Sequence, residues 1–373
     1  MTFIQTYLDA NATEPLRPEA RDALLLVLDA VGNPASVHAA GRRARAILEQ
    51  SRETLAARFG ARPQDLVFTA GGTEANAIAI HGLAAGRRII AGATEHDAVR
   101  AAAPEAAVLP VGRDGAADLD ALDRLLASGP PALVCLMLAN NETGVLHPVR
   151  DAAALCRARG ALLHVDAVQA GGRMAVDLAQ LGAHAMALSA HKLGGPAGAG
   201  ALLLAPEVSS IAPLVRGGGQ ERGRRGGTPA LAAIAGFAAA ASAASDAAAL
   251  TPLRDAIERA ATASGAVVCG GGAARLGNTA CLALPGVAAD TQVIALDLAG
   301  FAVSAGAACS SGKIGTSHVL AAMGLGPLAG QAIRVSLPWN ATAAAAEAFA
   351  AAYAAMASRL LAHADAAPQM GER

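Results

Sequence analysis

Two groups in this sequence stand out as able to form covalent bonds to a substrate: an amine, Lys192, in Ser189-Ala190-His191-Lys192, and a thiol, Cys309, in Gly306-Ala307-Ala308-Cys309-Ser310-Ser311-Gly312-Lys313. The apolar run Leu162–Asp166 closes on the carboxylate of His164-Val165-Asp166. The next run, Ala185–Ser189, leads into Lys192 and a Gly-Gly-Pro turn. Neighbouring strand ends bring Asp166 and Lys192 together. Two readings are open: a structural ion pair, or a shared flat cofactor with Lys192 as its Schiff base and Asp166 on a protonated pyridine nitrogen, so that the ring can accept electrons.

Phe68-Thr69-Ala70-Gly71-Gly72-Thr73-Glu74-Ala75-Asn76 reads as a strand entering a helix through bare glycines. Amides at a helix N-terminus make an anion cradle, with the Thr73 hydroxyl as a further donor. The plainer alternative is a tight strand-to-helix link. His96, in Thr94-Glu95-His96, is either a solvated loop imidazole or a ring that stacks on a flat cofactor or shuttles protons. Asn141, in Asn140-Asn141-Glu142-Thr143-Gly144, offers an amide to a phenolic oxygen or belongs to an ordinary Asn-rich turn. Arg334, a charge inside the strand-like run Ile333–Leu337, needs an anion: a structural carboxylate or a substrate carboxylate held bidentate. Among the cysteines, Cys135, Cys156 and Cys281 sit in apolar runs and read as core. Cys269, beside a glycine run, is ambiguous, whereas small, glycine-flanked neighbours leave Cys309 accessible. With an ordinary pKa of about 8.5, its thiol needs a nearby cation or base to be mostly thiolate at neutral pH.

The elements that must position these groups follow a rhythm. Leu66–Thr69, Arg88–Ala91, Leu133–Ala139, Leu162–Asp166, Ala185–Ser189 and Ala201–Leu204 alternate with helical segments, which predicts an α/β fold around a parallel sheet flanked by helices. Ligands bind beyond the carboxyl ends of such strands, where Thr73, His96, Asn141, Asp166 and Lys192 all fall. Near residue 250 the texture changes. An Ala-rich helix ends at Thr251-Pro252, and a smaller α/β region follows through Asn278–Leu284, Thr291–Gly300 and Ile333–Leu337. The expected division is a large domain over 13–250 and a small one over 251–373, joined by residues 1–12 as a strand that needs a sheet.

Composition narrows the class. With 373 residues the chain exceeds one core's usual reach. Its 29 basic and 30 acidic residues give a net charge of -1, no electrostatic case for nucleic acid or a membrane surface as partner. The five cysteines are widely spaced, with no C-x-x-C pair, so neither a disulfide framework nor a metal site is expected, and a reducing cytoplasm fits. The N-terminus lacks signal-peptide character. The uncharged stretch Ala230–Ala244 reads as a buried Ala-rich helix, and Ala341–Ala355 as helix by propensity. Arg216–Thr228 resembles an RGG-type RNA binder in composition but lacks interleaved aromatics, so it reads as a glycine-rich loop against a phosphate or a partner subunit.

Together these segments resemble the cysteine desulfurases of the NifS/IscS-like group, class V, fold-type I pyridoxal-phosphate enzymes. The matching motifs keep their order over nearly the whole chain: Tyr7-Leu8-Asp9 with Asn11-Ala12-Thr13, Gly32-Asn33-Pro34-Ala35-Ser36-Val37-His38, Gly72-Thr73-Glu74, Glu95-His96, Asn140-Asn141-Glu142, His164-Val165-Asp166 with Gln169, Ser189-Ala190-His191-Lys192, Arg222-Gly223-Arg224 with Gly227-Thr228, and Ala308-Cys309-Ser310. The resemblance implies pyridoxal 5'-phosphate on Lys192, with Asp166 on the pyridine nitrogen, Gln169 on the phenolic oxygen and His96 over the ring. It implies phosphate contacts from Thr73, Ser189 and His191, and from Thr228 toward a neighbouring subunit's phosphate, hence a homodimer. Asn33, Asn141 and Arg334 would orient L-cysteine, and Cys309 would take its sulfur as a persulfide, releasing L-alanine and passing the sulfur to an acceptor such as an iron–sulfur scaffold. Selenocysteine lyases and class V aminotransferases share the amine without needing the thiol. A catalytically silent scaffold is the rival outside enzymes. Ala197 and Ala10 depart from the usual pattern without touching the chemistry, and the tail Ala364–Met370 does not resemble a scaffold-docking end.

Overall fold

In the computed structural model the chain is described over residues 5–208, 210–306 and 316–366, with side chains as far as 362. A two-residue strand, β1 (Thr6–Tyr7), precedes the helices Pro18–Leu28 and Ala39–Arg58. The strands β2 (Leu66–Thr69), β3 (Arg88–Gly92), β4 (Ala107–Leu109), β5 (Ala132–Met137), β6 (Leu162–Asp166), β7 (Ala185–Ser189) and β8 (Gly200–Leu204) follow. These seven form one sheet in the order β2-β8-β7-β6-β5-β3-β4. Its middle strands read as unbroken apolar runs because helices cover both faces: every residue of β5, ALVCLM, is buried.

The pairs from β4 to β7 are parallel, as expected, but β8 lies antiparallel to both β7 and β2. A parallel neighbour needs a crossover of a dozen or more residues. Here the chain turns back within Ala190–Ala199, Ala190 donating to the Ala199 carbonyl at 3.0 Å, with Gly194 and Gly198 in the left-handed region at φ +90° and +87°. The turn that presents Lys192 also reverses the strand direction. The short edge strand β4 is an element the sequence reading lacked.

The Ala-rich stretch forms the helix Leu231–Ala243, which packs on Pro18–Leu28. It ends before the expected Thr251-Pro252, and Pro252 instead opens the next helix, Thr251–Ala263, where its missing N–H costs nothing. No single helix among the described residues is long and apolar enough to cross a membrane. The strands β9 (Val267–Val268), β10 (Thr279–Ala283), β11 (Phe301–Ala302), β12 (Ser304–Ala305) and β13 (Ala332–Ser336) come next; four of them make an antiparallel sheet in the order β12-β13-β10-β9, closed over by the helix Ala343–Ala366. β1 pairs in parallel with β11, and Leu8 is buried in the same core as Ile333, Phe349 and Tyr353.

The glycine-rich loop is tied down from within. Glu221 accepts a two-pronged pair from Arg52 at 2.8 and 2.9 Å and a bond from the Phe68 amide at 2.9 Å, while Arg225 pairs with Glu74 at 2.8 Å. Glu221 and Arg222 hold positive φ, 48° and 58°, a strained conformation that needs such anchors. Arg52 and Glu221 side chains are 5% and 3% exposed, so Arg52→Ala strands a carboxylate in the interior. The expected loss is about 3–5 kcal/mol, read as a lower denaturant midpoint with an unchanged slope. A change under about 0.5 kcal/mol would contradict this account of the loop.

Candidate active site

Beyond the carboxyl ends of β6 and β7 lies a cavity of about 230 Å³. Its walls bring together Gly72, Thr73, His96, Asn141, Asp166, Gln169, Ser189, His191, Lys192 and Arg334. Asp166 is the last residue of β6 and Ser189 the last of β7, so the sheet register puts the carboxylate and the Lys192 turn side by side. Asn33 and Thr228 do not line this cavity: they border two other grooves, beside the Gly218–Arg222 loop and beside Phe68–Ala70 respectively. Cys309 lies outside the described residues.

At one end of the cavity the helix Gly72–Leu83 begins. A Cβ on Gly72 would come within 2.6 Å of Val168 Cγ2, so the glycine lets the helix start sit against the Asp166–Gln169 turn. Thr73 stands in the first turn, where the amides gather positive potential, Ser189 lies beside it with its Cβ 3.5 Å from where a Gly72 Cβ would stand, and His191 lines the same cavity. Burial, together with the charges of Lys192 and Arg173, lowers the His191 pKa to about 4, so its ring is neutral. Its Nδ1 meets the Thr13 hydroxyl at 3.2 Å.

Across the floor, Asp166 accepts from the Val168 amide at 2.9 Å and from Asn76 Nδ2 at 2.7 Å. Burial raises its pKa, opposed by those two donors and by the charges of His96 and Lys192. Lys192 Nζ donates to the carbonyls of Asn11 at 2.6 Å and Ala12 at 2.9 Å. Gln169 Nε2 also donates to Asn11, at 3.0 Å, while its Oε1 accepts from Arg173. His96 caps the short helix Asp97–Arg100: its Nδ1 accepts from the Ala98 amide at 3.1 Å, which leaves the ring proton to Nε2.

Arg334 meets both open readings in part. It is 1% exposed; Nη2 pairs with Asp9 at 2.7 Å and Nη1 donates to the Asn141 carbonyl at 3.2 Å. A structural carboxylate is therefore present, yet Arg334 also lines the cavity, and its Nε has no hydrogen-bond partner among the described residues. The strap Asp9–Ala12, which supplies Asp9 to Arg334 and carbonyls to Lys192 and Gln169, and Asn76 behind Asp166, were not singled out as site residues by sequence reasoning. The only signal for Asp9, Asn11 and Ala12 was membership in the ordered motifs, and for Asn76 its place at the end of the Phe68–Asn76 segment.

Glu142, next to Asn141, is buried with its Oε2 accepting from Ser317 Oγ at 2.6 Å, and Ser317 in turn caps the helix His318–Ala322. Burial pushes the Glu142 carboxyl up to about 7 from an ordinary 4.5. The folded chain therefore keeps this proton over a range where the unfolded chain has lost it. The associated stability is full below pH about 4.5 and is lost as pH rises through about 7, a loss of up to about 3 kcal/mol. Glu142→Gln, which keeps an acceptor for Ser317 without a charge, is expected to match the wild type near pH 4 and to be the more stable protein near pH 8. Parallel urea melts at both pH values decide it; equal midpoints at both would refute the assignment.

Residues 6–349 match the family described as Aminotransferase class-V, and the chain belongs to that family. Among its relatives are proteins named "IscS-like cysteine desulfurase" from Mycobacterium tuberculosis, 37% identical over 86% of this chain and 87% of that one, and "Cysteine desulfurase" from Cereibacter sphaeroides, 40% identical over 91% and 92%. The crystal structure of a NifS-like protein from Rickettsia africae superposes with a TM-score of 0.88, is 32% identical, and covers 95% of this chain and 99% of that one.

Proposed function

We propose that this chain is a cysteine desulfurase that uses pyridoxal 5'-phosphate, converts L-cysteine to L-alanine and takes the sulfur as a persulfide on Cys309. The observation that carries the reading is the meeting of an amine, a buried carboxylate and a helix N-terminus on one cavity, contributed by elements far apart in sequence. The donor set fits the cofactor. Asp166 matches a ring nitrogen that must stay protonated, the cradle at Gly72 and Thr73 matches a phosphate, and His96 matches the ring face. A bound cofactor supplies an electron sink for the pair released at the substrate's Cα.

The chain's own groups supply the rest. Lys192 would hold the cofactor and, as a free amine, would take the substrate's Cα proton; such positioned proton transfer contributes roughly 10²–10⁴-fold. Asn11 and Ala12 carbonyls fix where Nζ waits. Arg334 and Asn141 orient the substrate, Arg334 by its carboxylate, and Gln169 reaches the phenolic oxygen. The Cys309 thiolate attacks the substrate sulfur, so an S–S bond forms while the Cβ–S bond breaks. The electron pair stays with the carbon fragment, which is protonated to alanine.

The reading extends to a homodimer in which Thr228 serves the partner's phosphate and Asn33 acts at the substrate end. Their location away from this chain's own cavity supports it. It also extends to the two domains, 13–250 and 1–12 with 251–373, to a cytoplasmic location, and to an acceptor protein such as an iron–sulfur scaffold. The shared core of Leu8 with the C-terminal strands supports that division. The test is direct: incubation with L-cysteine should yield alanine in step with cysteine loss and, by mass spectrometry of digested protein, one extra sulfur on the Cys309 peptide. Alanine without any protein-bound sulfur, or turnover of selenocysteine alone, would overturn the proposal.

A further inference from the structure

Behind the cavity floor stands a pair of residues that the reaction as described does not use. His164 and Asp166 alternate along β6 and so share one face of the strand, and Asn76 reaches that face from the first turns of the helix Gly72–Leu83. Asn76 Oδ1 lies 2.7 Å from His164 Nε2, and Asn76 Nδ2 lies 2.7 Å from Asp166 Oδ2. His164 is 0% exposed, Asn76 1% and Asp166 6%. His164 is thus closed off from solvent and must be satisfied within the protein, while Asn76 and Asp166 also line the cavity and meet each other there at 2.7 Å.

We propose that His164 and Asn76 are positioning residues for Asp166: the His164 Nε2–H donates to the Asn76 carbonyl oxygen, which turns the amide NH2 onto Asp166 and keeps its carboxylate ionised and aimed at the ring-nitrogen end of the cavity. The inference rests on the cofactor reading above. Its logic is that a carboxamide has one accepting and one donating end. An ionised Asp166 can only accept, so it requires Asn76 to present Nδ2; Oδ1 then faces His164, which must hold its proton on Nε2. If that proton sat on Nδ1, toward the Ala185 backbone, Asn76 would have to reverse and offer an oxygen to Asp166, an arrangement that only a protonated Asp166 could meet. Burial lowers the His164 pKa to about 4, opposed by the Ala185 backbone, so the ring is neutral and carries one proton to place; Nδ1 faces that backbone without a hydrogen bond of good geometry, whereas Nε2 meets Asn76 Oδ1 at 2.7 Å. The relay thus ties the charge of Asp166 to the tautomer of a histidine two residues earlier. The other titratable or charged groups facing Asp166 are His96, Lys192, Glu95 and the Cys135 thiol on β5.

The test compares His164→Gln, which retains a side-chain N–H donor, with His164→Met and Asn76→Leu, which remove the link at similar bulk. Three quantities are read: the dissociation constant of pyridoxal phosphate, the pH midpoint of the bound cofactor's visible absorption, and the ¹⁵N resonances of His164 in the cofactor-free protein, assigned with the variants. The relay predicts Nε2–H resonances in the wild type. It predicts about 10-fold weaker cofactor binding and an absorption midpoint displaced by about one pH unit in His164→Met and Asn76→Leu, with His164→Gln near wild type, as expected for loss of one charge-assisted bond. A merely structural role would weaken folding in all three without separating Gln from Met. An Nδ1–H tautomer, or a wild-type absorption profile in His164→Met, overturns the relay. If a variant fails to fold, the wild-type tautomer alone decides. If the wild type binds no cofactor, the functional reading fails, while the resonances still report on the relay.

Discussion

Lys192→Ala is expected to lose alanine formation by at least about 10³-fold and to lose the visible absorption of a cofactor-bound lysine. The size follows from two roles on one atom: Nζ both holds the cofactor and moves the Cα proton. Among the described residues Lys192 is the sole lysine. The chain contains two lysines, Lys192 and Lys313, against 27 arginines, and a guanidinium with a pKa above about 12 cannot do either task at neutral pH. For the same reason Lys192→Arg is expected to be as inactive as the alanine variant, although it keeps the charge. Borohydride reduction of the cofactor-loaded wild type should leave the cofactor's mass on the Lys192 peptide. Label on Lys313, or an active Lys192→Ala protein, would remove Lys192 from its assigned role.

The second large effect is expected at Cys309. Cys309→Ala should bind cofactor and cysteine yet carry no persulfide and form alanine at no more than background. The other thiols cannot replace it: Cys135, Cys156, Cys269 and Cys281 are free but at most 2% exposed, and burial raises the Cys156 thiol to about 12. The hydrogen bond with Cys281 lowers the Cys269 pKa, but none of these four thiols lines the cavity, so none is within reach of a substrate sulfur. The rate with the wild type should rise with pH until the Cys309 thiol is fully ionised, while Cys309→Ser should show no such rise. Desulfuration that survives in Cys309→Ala would favour an enzyme of this family that releases sulfur without a protein thiol.

Much of the site was legible before any coordinates. Asp166, Ser189 and the Lys192 turn close consecutive apolar runs, and the geometry of a parallel sheet gathers such ends on one edge. The Gly71-Gly72-Thr73 turn could be read as a strand-to-helix junction, and a helix does begin at Gly72; backbone amides at such a start can serve an anion in any fold. Arg334 was less legible. A charge in an apolar strand signals a buried anion without saying which, and Asp9, 325 residues away, answered only half of that question. The antiparallel β8 was hidden because an apolar run reads the same in either direction.

What the sequence by itself determined, then, is everything that follows from local periodicity: which residues stand at strand ends, which glycines open a helix, which thiols lie in apolar runs. Tertiary structure alone decided the pairings. Asn11 supplies the carbonyl that holds Lys192 across 181 residues, Asn76 turns its amide to Asp166 across 90, and Ser317 meets Glu142 across 175. The reason is physical. A side chain's type limits what it can donate or accept, but its role, charge and tautomer depend on the partner and the burial it meets, and both are set only when distant segments pack.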